Sequence, residues 1–437
     1  MSTRSAGSAA DADTQGVMPD SPHPDSNVAR AVTSLSGDSG DVHSPEPLVD
    51  GFGRVVTNLR ISVTDRCNLR CRYCMPEEVQ WTRRDEVLSF EEITRLASIF
   101  VYHLGITRIR LTGGEPTVRQ DLPDLVSMLA ELMQPPLGFA GSSGFAETPG
   151  FAEDLRYASP AGGLEDLSMT TNAIRLAKVA VRLKQSGLQR LNISLDTLDS
   201  GRFKQLTGRD RLQDVIDGIQ AAADAGFSKI KLNTVVMRGV NDSEVGDIAA
   251  FALERAIEPR FIEYMPLDGA GRWDVGQVVP AREILATIAK RFPLTSGNSD
   301  PPGTSGDRLS EPGGAEPGSP ALGDPALGSA DPTDARRSAP AHRYDLAGGQ
   351  GSIGIIASVT EPFCAGCDRV RLTADGQLRT CLFALDEHDL KSLVREPSSD
   401  AEIAHAIRSA VAHKWAGHQI GKPIFVRPRR SMVQIGG

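Results

Sequence analysis

The chain has 437 residues, of which 40% are hydrophobic and 5% aromatic, and its 47 basic and 56 acidic residues give a net charge of −9 at pH 7. This length is enough for a large buried core and, at about 150 residues per domain, suggests about three domains. Taken at face value, the negative charge argues against a polyanionic partner such as nucleic acid.

The acidic excess is confined to three segments, residues 1–50, 134–163 and 295–341, which together carry −12 and leave about +3 on the other 310 residues. The first and last contain no Phe, Trp or Tyr and are rich in Ser, Gly and Pro. They cannot bury enough apolar surface to offset the entropy of ordering. We predict a disordered N-terminal extension over 1–50 and a disordered insertion over 295–341.

The middle segment repeats Gly-Phe-Ala at positions 138, 144 and 150. Three copies without an aliphatic ladder do not suit a solenoid, so we interpret 134–163 as a flexible surface insertion. Removing these segments leaves one large domain over 51–294 and a C-terminal region over 342–437. No apolar run reaches 18 residues and the N-terminus lacks the apolar core of a secretory signal, so we expect a cytoplasmic protein that binds neither membrane nor nucleic acid.

Strand-like runs alternate with helical patterns through the large domain. The predicted strands are 59–64, 108–112, 166–171, 190–195, 229–236 and 259–265, and the predicted helices are about 89–104, 121–133, 174–186, 210–225 and 243–257. Ser89 and Glu92 form a capping box, and Gly187 and Gly226 suit helix ends. Candidate chemistry recurs after successive strands, which favours a partial (β/α)6 TIM-type barrel over a doubly wound sheet.

The six cysteines form two triplets and none is left over. The first, C-x3-C-x2-C, follows the first predicted strand, and the second, C-x2-C-x13-C, lies in the C-terminal region; the residues are Cys67, Cys71, Cys74, Cys364, Cys367 and Cys381. A disulfide framework does not suit a long chain in a reducing compartment. A zinc site is an open alternative but normally needs four ligands, whereas three thiolates suit a [4Fe–4S] cluster with one open iron.

The first triplet has the spacing found in radical S-adenosylmethionine (SAM) enzymes, and Gly113-Gly114-Glu115-Pro116 follows the second strand. By itself that motif is equally a turn. The other motifs are TDRCNLRCRYCMP, MTTN, NISLD, FIEYMP, FCAGCDRVRLTADG and a terminal Gly436-Gly437. Together these motifs make the chain closely resemble the GTP 3′,8-cyclases, a family of radical SAM lyases also called the molybdenum cofactor biosynthesis protein A family. The resemblance covers about residues 50–133, 164–294 and 342–437.

The resemblance implies two [4Fe–4S] clusters, one on each triplet, with SAM on the first. The SAM contacts it implies are Tyr73, Gly114, Asn172, Ser194 and Met265. The GTP contacts it implies are Arg60, Arg110, Thr170, Lys231, Arg369, Val370 and Arg371, of which Arg60, Arg369 and Arg371 are also the catalytic residues. The second cluster's open iron is implied to contact guanine, and the double-glycine tail to reach the active site.

The reaction that the resemblance implies is radical. SAM is cleaved to methionine and a 5′-deoxyadenosyl radical, which abstracts hydrogen from ribose C3′ of GTP. The C3′ radical adds to guanine C8, and one-electron reduction and protonation of the resulting aminyl radical give (8S)-3′,8-cyclo-7,8-dihydroguanosine 5′-triphosphate. The implied partners are a flavodoxin- or ferredoxin-like electron donor, cyclic pyranopterin monophosphate synthase as product acceptor, and a second copy of the chain in a homodimer.

Several of these residues have a plain structural alternative. Arg369 and Arg371 alternate on a strand-like stretch, so they point the same way and suit a triphosphate, but such a pair is also typical of a solvated strand face. Lys231 would also suit a structural salt bridge, and Met265 would also suit packing in the core. Ser194 would also suit a cap at the end of a strand. Two rival functions also remain at this point, a peptide-modifying radical enzyme and a zinc-stapled binding module.

Overall fold

Six strands of the large domain alternate with helices in the predicted order. The computed structural model of the chain describes residues 47–134, 163–268, 271–295 and 340–436. The strands are β1 Asn58–Ser62, β2 Arg108–Thr112, β3 Asp166–Thr171, β4 Arg190–Ser194, β5 Ile230–Val236 and β6 Glu258–Glu263. The helices are α1 Phe90–Ser98, α2 Leu122–Glu131, α3 Leu176–Gln185, α4 Ser200–Thr207, α5 Leu212–Asp224 and α6 Val245–Leu253.

The predicted helix signals are confirmed, but two helices of the large domain, α4 and the helix at Ala281–Ala289, were not predicted. Ser89 and Glu92 form both halves of the capping box at the start of α1, which continues into a π-helical turn over Ile99–His103. Gly187 and Gly226 follow α3 and α5 with φ of +99° and +83°. Helix α4 was not predicted because its short sequence, SGRFKQLT, has too few apolar residues to show a helical period.

The strands form one sheet that continues beyond the six predicted strands into the C-terminal region. Helix α7 Ala281–Ala289 follows β6 within the large domain, and the C-terminal region contributes β7 His342–Asp345, β8 Ser352–Ile356, β9 Arg369–Leu372, β10 Gln377–Arg379, β11 His388–Asp389, α8 Leu390–Arg395, α9 Asp400–Ala412 and α10 Met432–Ile435. The strand order is β11-β10-β9-β1-β2-β3-β4-β5-β6-β8-β7. Strand β9 runs parallel to β1 and β8 parallel to β6, so the C-terminal region extends both edges of a partial barrel.

The main apolar core lies between this sheet and the surrounding helices. Leu59 and Ile61 of β1 and Val370 and Leu372 of β9 are fully buried in it. The residues between them, Arg60 and Arg371, point to the other side of the sheet, which is the barrel interior. The period-two pattern therefore places apolar side chains outward against helices and leaves the interior polar.

Two predicted segment boundaries are wrong by a few residues. Leu48 is only 1% exposed, its N–H donates to the Leu104 carbonyl at 3.2 Å, and its carbonyl accepts from Val56 N–H at 2.8 Å, so the fold includes residues 47–50. The Thr295 N–H donates to the Asp345 carbonyl at 3.0 Å, so that residue also belongs to the fold. The rest of the three predicted flexible segments lies outside the described residues, apart from positions at their edges.

No helix in the described ranges is long and apolar enough to cross a bilayer.

Helix α5 approaches the end of β3 closely. Ala173, just after that strand, has φ of +61°, a backbone conformation that is unfavourable for residues other than glycine. Gly218 of α5 lies against it: a Cβ added at Gly218 would sit 2.2 Å from the Ala173 carbonyl oxygen. The glycine thus allows the helix to hold the loop that begins at Asn172.

We predict that Gly218→Ala lowers the free energy of unfolding by roughly 1–3 kcal/mol, the usual result of overpacking. The added methyl group meets main chain that cannot move away without shifting the Asn172 loop. Gly246→Ala in α6 is the matched control, because its Cβ would meet only Arg291 Cδ at 3.9 Å. Urea unfolding measures both; equal stability of the two variants would contradict the proposed close packing.

Candidate active site

The two cysteine triplets face one cavity inside the barrel, with a volume of about 320 Å³. Nearly all predicted site residues line it: Arg60, Cys67, Cys71, Tyr73, Cys74, Arg110, Gly114, Thr170, Asn172, Ser194, Met265, Cys364, Cys367, Arg369, Arg371 and Cys381. Lys231 and Val370 are not among the lining residues. The chain therefore brings residues from both of its ends to a single site.

The loop after β1 carries the first triplet and is fixed by the loop after β2. Gly114 N–H donates to the Thr64 carbonyl at 2.7 Å. A Cβ added at Gly114 would sit 2.3 Å from the Arg66 carbonyl oxygen, and one at Gly113 would sit 2.5 Å from that of Thr64. The adjacent glycines therefore let the backbone of the cysteine loop approach the end of β2 closely.

Glu115 completes this junction. Its buried carboxylate accepts from Thr117 N–H at 3.1 Å, Thr171 Oγ1 at 2.6 Å and Asn172 N–H at 2.7 Å. Burial raises the pKa of Glu115 despite these hydrogen bonds. The side chain thus ties the ends of β2 and β3 together beside the first triplet.

The thiols of the first triplet are partly buried in the wall of the cavity. Burial raises the pKa of Cys67 to about 11 and that of Cys74 to about 12. The Leu69 N–H donates to Cys67 Sγ at 3.4 Å, and Asn172 Nδ2 lies 3.9 Å from the same sulfur. Thiols in such a setting ionise only when a cationic centre compensates the charge, as a metal cluster does.

Tyr73, between two of these cysteines, is held by Asp196. The Tyr73 hydroxyl donates to Asp196 Oδ2 at 2.6 Å, and Val235 N–H donates to Asp196 Oδ1 at 2.9 Å. Burial raises the pKa of Asp196 to about 6 despite both hydrogen bonds. Asp196 itself also lines the cavity.

The second triplet surrounds β9 and β10. Cys364 and Cys367 precede β9, and Cys381 follows β10. Burial alone would raise the pKa of Cys367, but the positive charges of Lys414 and Arg369 outweigh it and lower that pKa. Arg369 also stacks over the Phe363 ring, with 5.2 Å from guanidinium carbon to ring centroid.

The donor sets fit clusters better than single metal ions. Within the ranges that the structure describes, no three His, Cys, Asp or Glu side chains come close enough together to hold one metal ion. A zinc site would bring its thiolates together around one ion at about 2.3 Å each. Two sets of three free cysteines, spaced more widely around one cavity, suit iron–sulfur clusters with an open iron.

Three arginines form a layer across the barrel interior, here called the arginine layer: Arg60, Arg110 and Arg371. Arg60 is paired in register with Arg110 of β2 on one side and with Arg371 of β9 on the other. No carboxylate in the described part of the chain lies within ion-pair distance of any of them. Arg110 donates to Ser168 Oγ at 3.3 Å, and Arg371 donates to the Gly436 carbonyl.

These cations destabilise one another. Burial and the charges of Arg371 and Arg369 lower the pKa of Arg60, and burial and the Arg60 charge lower that of Arg110. Burial lowers the pKa of Arg371 to about 10. Adjacent enclosed cations without counter-ions are typical of a site that binds an anion.

The last residues of the chain approach this layer. A Cβ added at Gly436 would sit 2.7 Å from Thr112 Oγ1 and 2.9 Å from Ser62 Cβ. A residue with a side chain therefore does not fit between the ends of β1 and β2. This position agrees with the expectation that a glycine tail reaches the site.

Two predicted GTP contacts lie apart from the cavity lining. Lys231 is paired in register with Glu258, and their charged atoms are 4.0 Å apart. Burial and the Arg260 charge lower its pKa to about 8. Val370 is fully buried on the opposite face of β9 from its arginine neighbours, so only its main chain is available to a ligand.

Comparison with known proteins agrees with this site. Residues 61–252 match the family described as the Radical SAM superfamily, and residues 326–420 match Molybdenum Cofactor Synthesis C. A GTP 3′,8-cyclase from Streptomyces coelicolor is 42% identical over 89% of this chain and 96% of its own length. A GTP 3′,8-cyclase from Rhodopirellula baltica is 39% identical over 94% of this chain and 98% of its own.

Among solved structures, Streptococcus suis SuiB bound to S-adenosylmethionine matches with a TM-score of 0.48 at 13% identity, over 82% of this chain and 68% of that chain. The anSMEcpe structure with bound AdoMet has a TM-score of 0.39 at 15% identity, over 54% of this chain and 57% of that chain. Likenesses of this degree carry no argument about function here.

We predict that inorganic tripolyphosphate raises the Tm of the protein, because a bound polyanion relieves repulsion within the arginine layer. At ~100 times its Kd, a ligand stabilises the folded state by about 2.7 kcal/mol. Arg110→Met should raise the Tm measured without ligand and reduce the shift that tripolyphosphate causes. Arg175→Met changes an exposed arginine that does not line the cavity and should leave both values unchanged. Differential scanning fluorimetry measures this; an equal shift with sodium chloride of the same ionic strength would contradict it.

Proposed function

The chain belongs to the GTP 3′,8-cyclase family of radical SAM enzymes, and from that membership we propose how its residues perform the first step of molybdenum cofactor biosynthesis. The enzyme binds SAM and a [4Fe–4S] cluster and acts on GTP. We assign both molecules to the cavity between the two triplets. The observation that carries this assignment is that the arginine layer, built to hold a polyanion, lines the same cavity as both triplets.

In this proposal Cys67, Cys71 and Cys74 hold the first cluster. When bound there, it supplies the electron that cleaves SAM to methionine and a 5′-deoxyadenosyl radical. The surrounding chain positions the cofactor: Tyr73, Gly114, Asn172, Ser194 and Met265 all line the adjacent wall. The hydrogen bond from Tyr73 to Asp196 restricts the tyrosine ring beside the cysteines.

A second [4Fe–4S] cluster on Cys364, Cys367 and Cys381 completes the proposed site. The three thiols are partly buried, face the same cavity and have no disulfide partner. The family resemblance implies that a cluster held by these cysteines would contact the guanine of GTP. Arg369 lies between this triplet and the arginine layer, which suits a residue that contacts the nucleotide bound beside the cluster.

The triphosphate is proposed to bind the arginine layer together with Arg369. Guanidinium groups contact phosphate oxygens through two parallel hydrogen bonds, which positions as well as binds the substrate. Holding ribose C3′ and guanine C8 in one fixed arrangement favours the intramolecular ring closure over escape of a radical. Arg60, Arg369 and Arg371 are therefore the proposed catalytic residues, and Thr170, Lys231 and the Val370 main chain the additional GTP contacts.

The same layer distinguishes this function from modification of a peptide. A peptide substrate offers no group with the charge of a triphosphate. The positive charges of the three adjacent arginines, which have no carboxylate partners, would then remain uncompensated. A flavodoxin- or ferredoxin-like donor, cyclic pyranopterin monophosphate synthase as product acceptor, a homodimer and a cytoplasmic location stay predictions.

The direct test is the production of 5′-deoxyadenosine by the anaerobically reconstituted, dithionite-reduced protein with SAM. We expect GTP to increase it strongly and ATP or no nucleotide to leave it near background. Arg369→Ala should abolish the GTP dependence while the iron content stays near that of the parent. Equal production without GTP would contradict the assigned substrate, and loss of iron in Arg369→Ala would reassign that arginine to structure.

A further inference from the structure

A buried lysine lies behind the second triplet, and neither the fold nor the proposed reaction explains its charge. Lys414 follows α9 and is only 2% exposed. No carboxylate in the described ranges lies within ion-pair distance of its ammonium group. An enclosed ammonium without a counter-ion is costly unless an anion is bound beside it.

The Lys414 ammonium contacts the second triplet directly. Its Nζ donates to the Cys367 carbonyl at 2.8 Å and to the Arg369 carbonyl at 2.9 Å. The Cys367 sulfur lies 3.7 Å from the same nitrogen. The acidic group in contact with this cation is therefore the thiol of Cys367, a cysteine that we assign to the second cluster.

The residues after Lys414 pack against the other cysteine of the same turn. A Cβ added at Gly417 would sit 2.9 Å from Cys364 Cβ and 3.3 Å from Cys364 Sγ. Burial raises the pKa of Cys364, and the His418 main chain opposes this rise. The His418 ring contacts the Ser358 carbonyl through Nε2 at 2.8 Å.

Arg54 fixes this segment to the start of the barrel. Its guanidinium donates to the Cys364 and Ala416 carbonyls, each at 2.7 Å, and to the Trp415 carbonyl at 2.6 Å. Asp50 accepts from Arg54 Nε at 2.6 Å. The segment is thus held on both sides, against the cysteine turn and against the chain that leads into β1.

We propose that residues 414–418 are a positioning element for the second cluster, in which the Lys414 charge favours its reduced state and Gly417 provides room for the Cys364 ligand. This inference rests on the proposed second cluster. Each electron added to an iron–sulfur cluster makes it more negative, and a fixed cation or N–H donor at a ligand sulfur stabilises that form. The segment would therefore raise the reduction potential of the cluster.

The experiment isolates the second cluster in the full-length chain by replacing Cys67, Cys71 and Cys74 with Ser. After anaerobic reconstitution this parent should hold about four iron atoms. Its potential is measured by a redox titration followed by the EPR signal of the reduced cluster. A parent without iron would contradict the second cluster itself, which separates failure of the proposed function from failure of the present inference.

In that parent, Lys414→Met should shift the potential to more negative values, because the neutral side chain keeps the length but removes the charge. Lys414→Arg should restore most of the shift, and Lys178→Met, an exposed change on α3, should leave the potential unchanged. An unchanged potential in Lys414→Met would overturn the role of the charge. If Lys414→Met loses iron, the role of the charge is supported only when Lys414→Arg holds as much iron as the parent. Loss of iron in both variants would overturn that role.

Gly417→Ala tests the second part of the inference independently. The added methyl group would displace Cys364, so reconstitution should yield clearly less iron than in the parent, with an unchanged far-UV circular dichroism spectrum. Gly246→Ala should reconstitute like the parent. Full iron content in Gly417→Ala would show that the glycine is not needed for the cluster.

Discussion

The parallel pairing of β9 with β1 is the interaction on which the site depends. It joins residues more than 300 positions apart, from Asn58 opposite Arg369 to Ile61 opposite Leu372. It places Arg371 beside Arg60 and brings the turn of the second triplet to the barrel that carries the first. Without this pairing the two triplets would belong to separate parts of the chain, and the arginine layer would lose one of its three members.

The barrel can hold the positive charges of the arginine layer because its stability comes from the apolar contacts between the outer face of the sheet and the helices. TIM-type barrels usually fill their interior with side chains in layers, whereas here the interior holds a cavity whose lining includes arginines and both cysteine triplets. The apolar residues of β1 and β9 face the helices, where Leu59, Ile61, Val370 and Leu372 are fully buried. Burying these side chains contributes about 1.5–3 kcal/mol each, so the outer face offsets the repulsion that the inner face creates. Substrate binding then relieves repulsion already present in the free protein.

Local patterns in the sequence predict much of this arrangement. Each of the first six strands is a short stretch in which apolar residues alternate with polar or charged ones, and the motifs follow strand ends, so their meeting at one edge of the barrel is expected. The parallel pairing of β9 with β1 leaves no local signal, because nothing near Arg369 indicates which distant strand lies beside it. The same holds for Lys414, a single lysine after a helix whose contacts exist only in the folded chain. For the adjacent glycines, the sequence indicates a close approach but not that the approaching group is the chain itself.

The central claim is that residues from both ends of the chain form one GTP site across the β1–β9 pair. A double-mutant cycle on GTP binding tests it most directly, with Kd measured by calorimetry for the wild type, Arg60→Met, Arg371→Met and the double variant. Neighbouring residues that share a ligand show coupling of roughly 0.5–3 kcal/mol, whereas independent sites add to within about 0.3–0.5 kcal/mol. The account predicts coupling in the first range; additive effects of the two changes would contradict it.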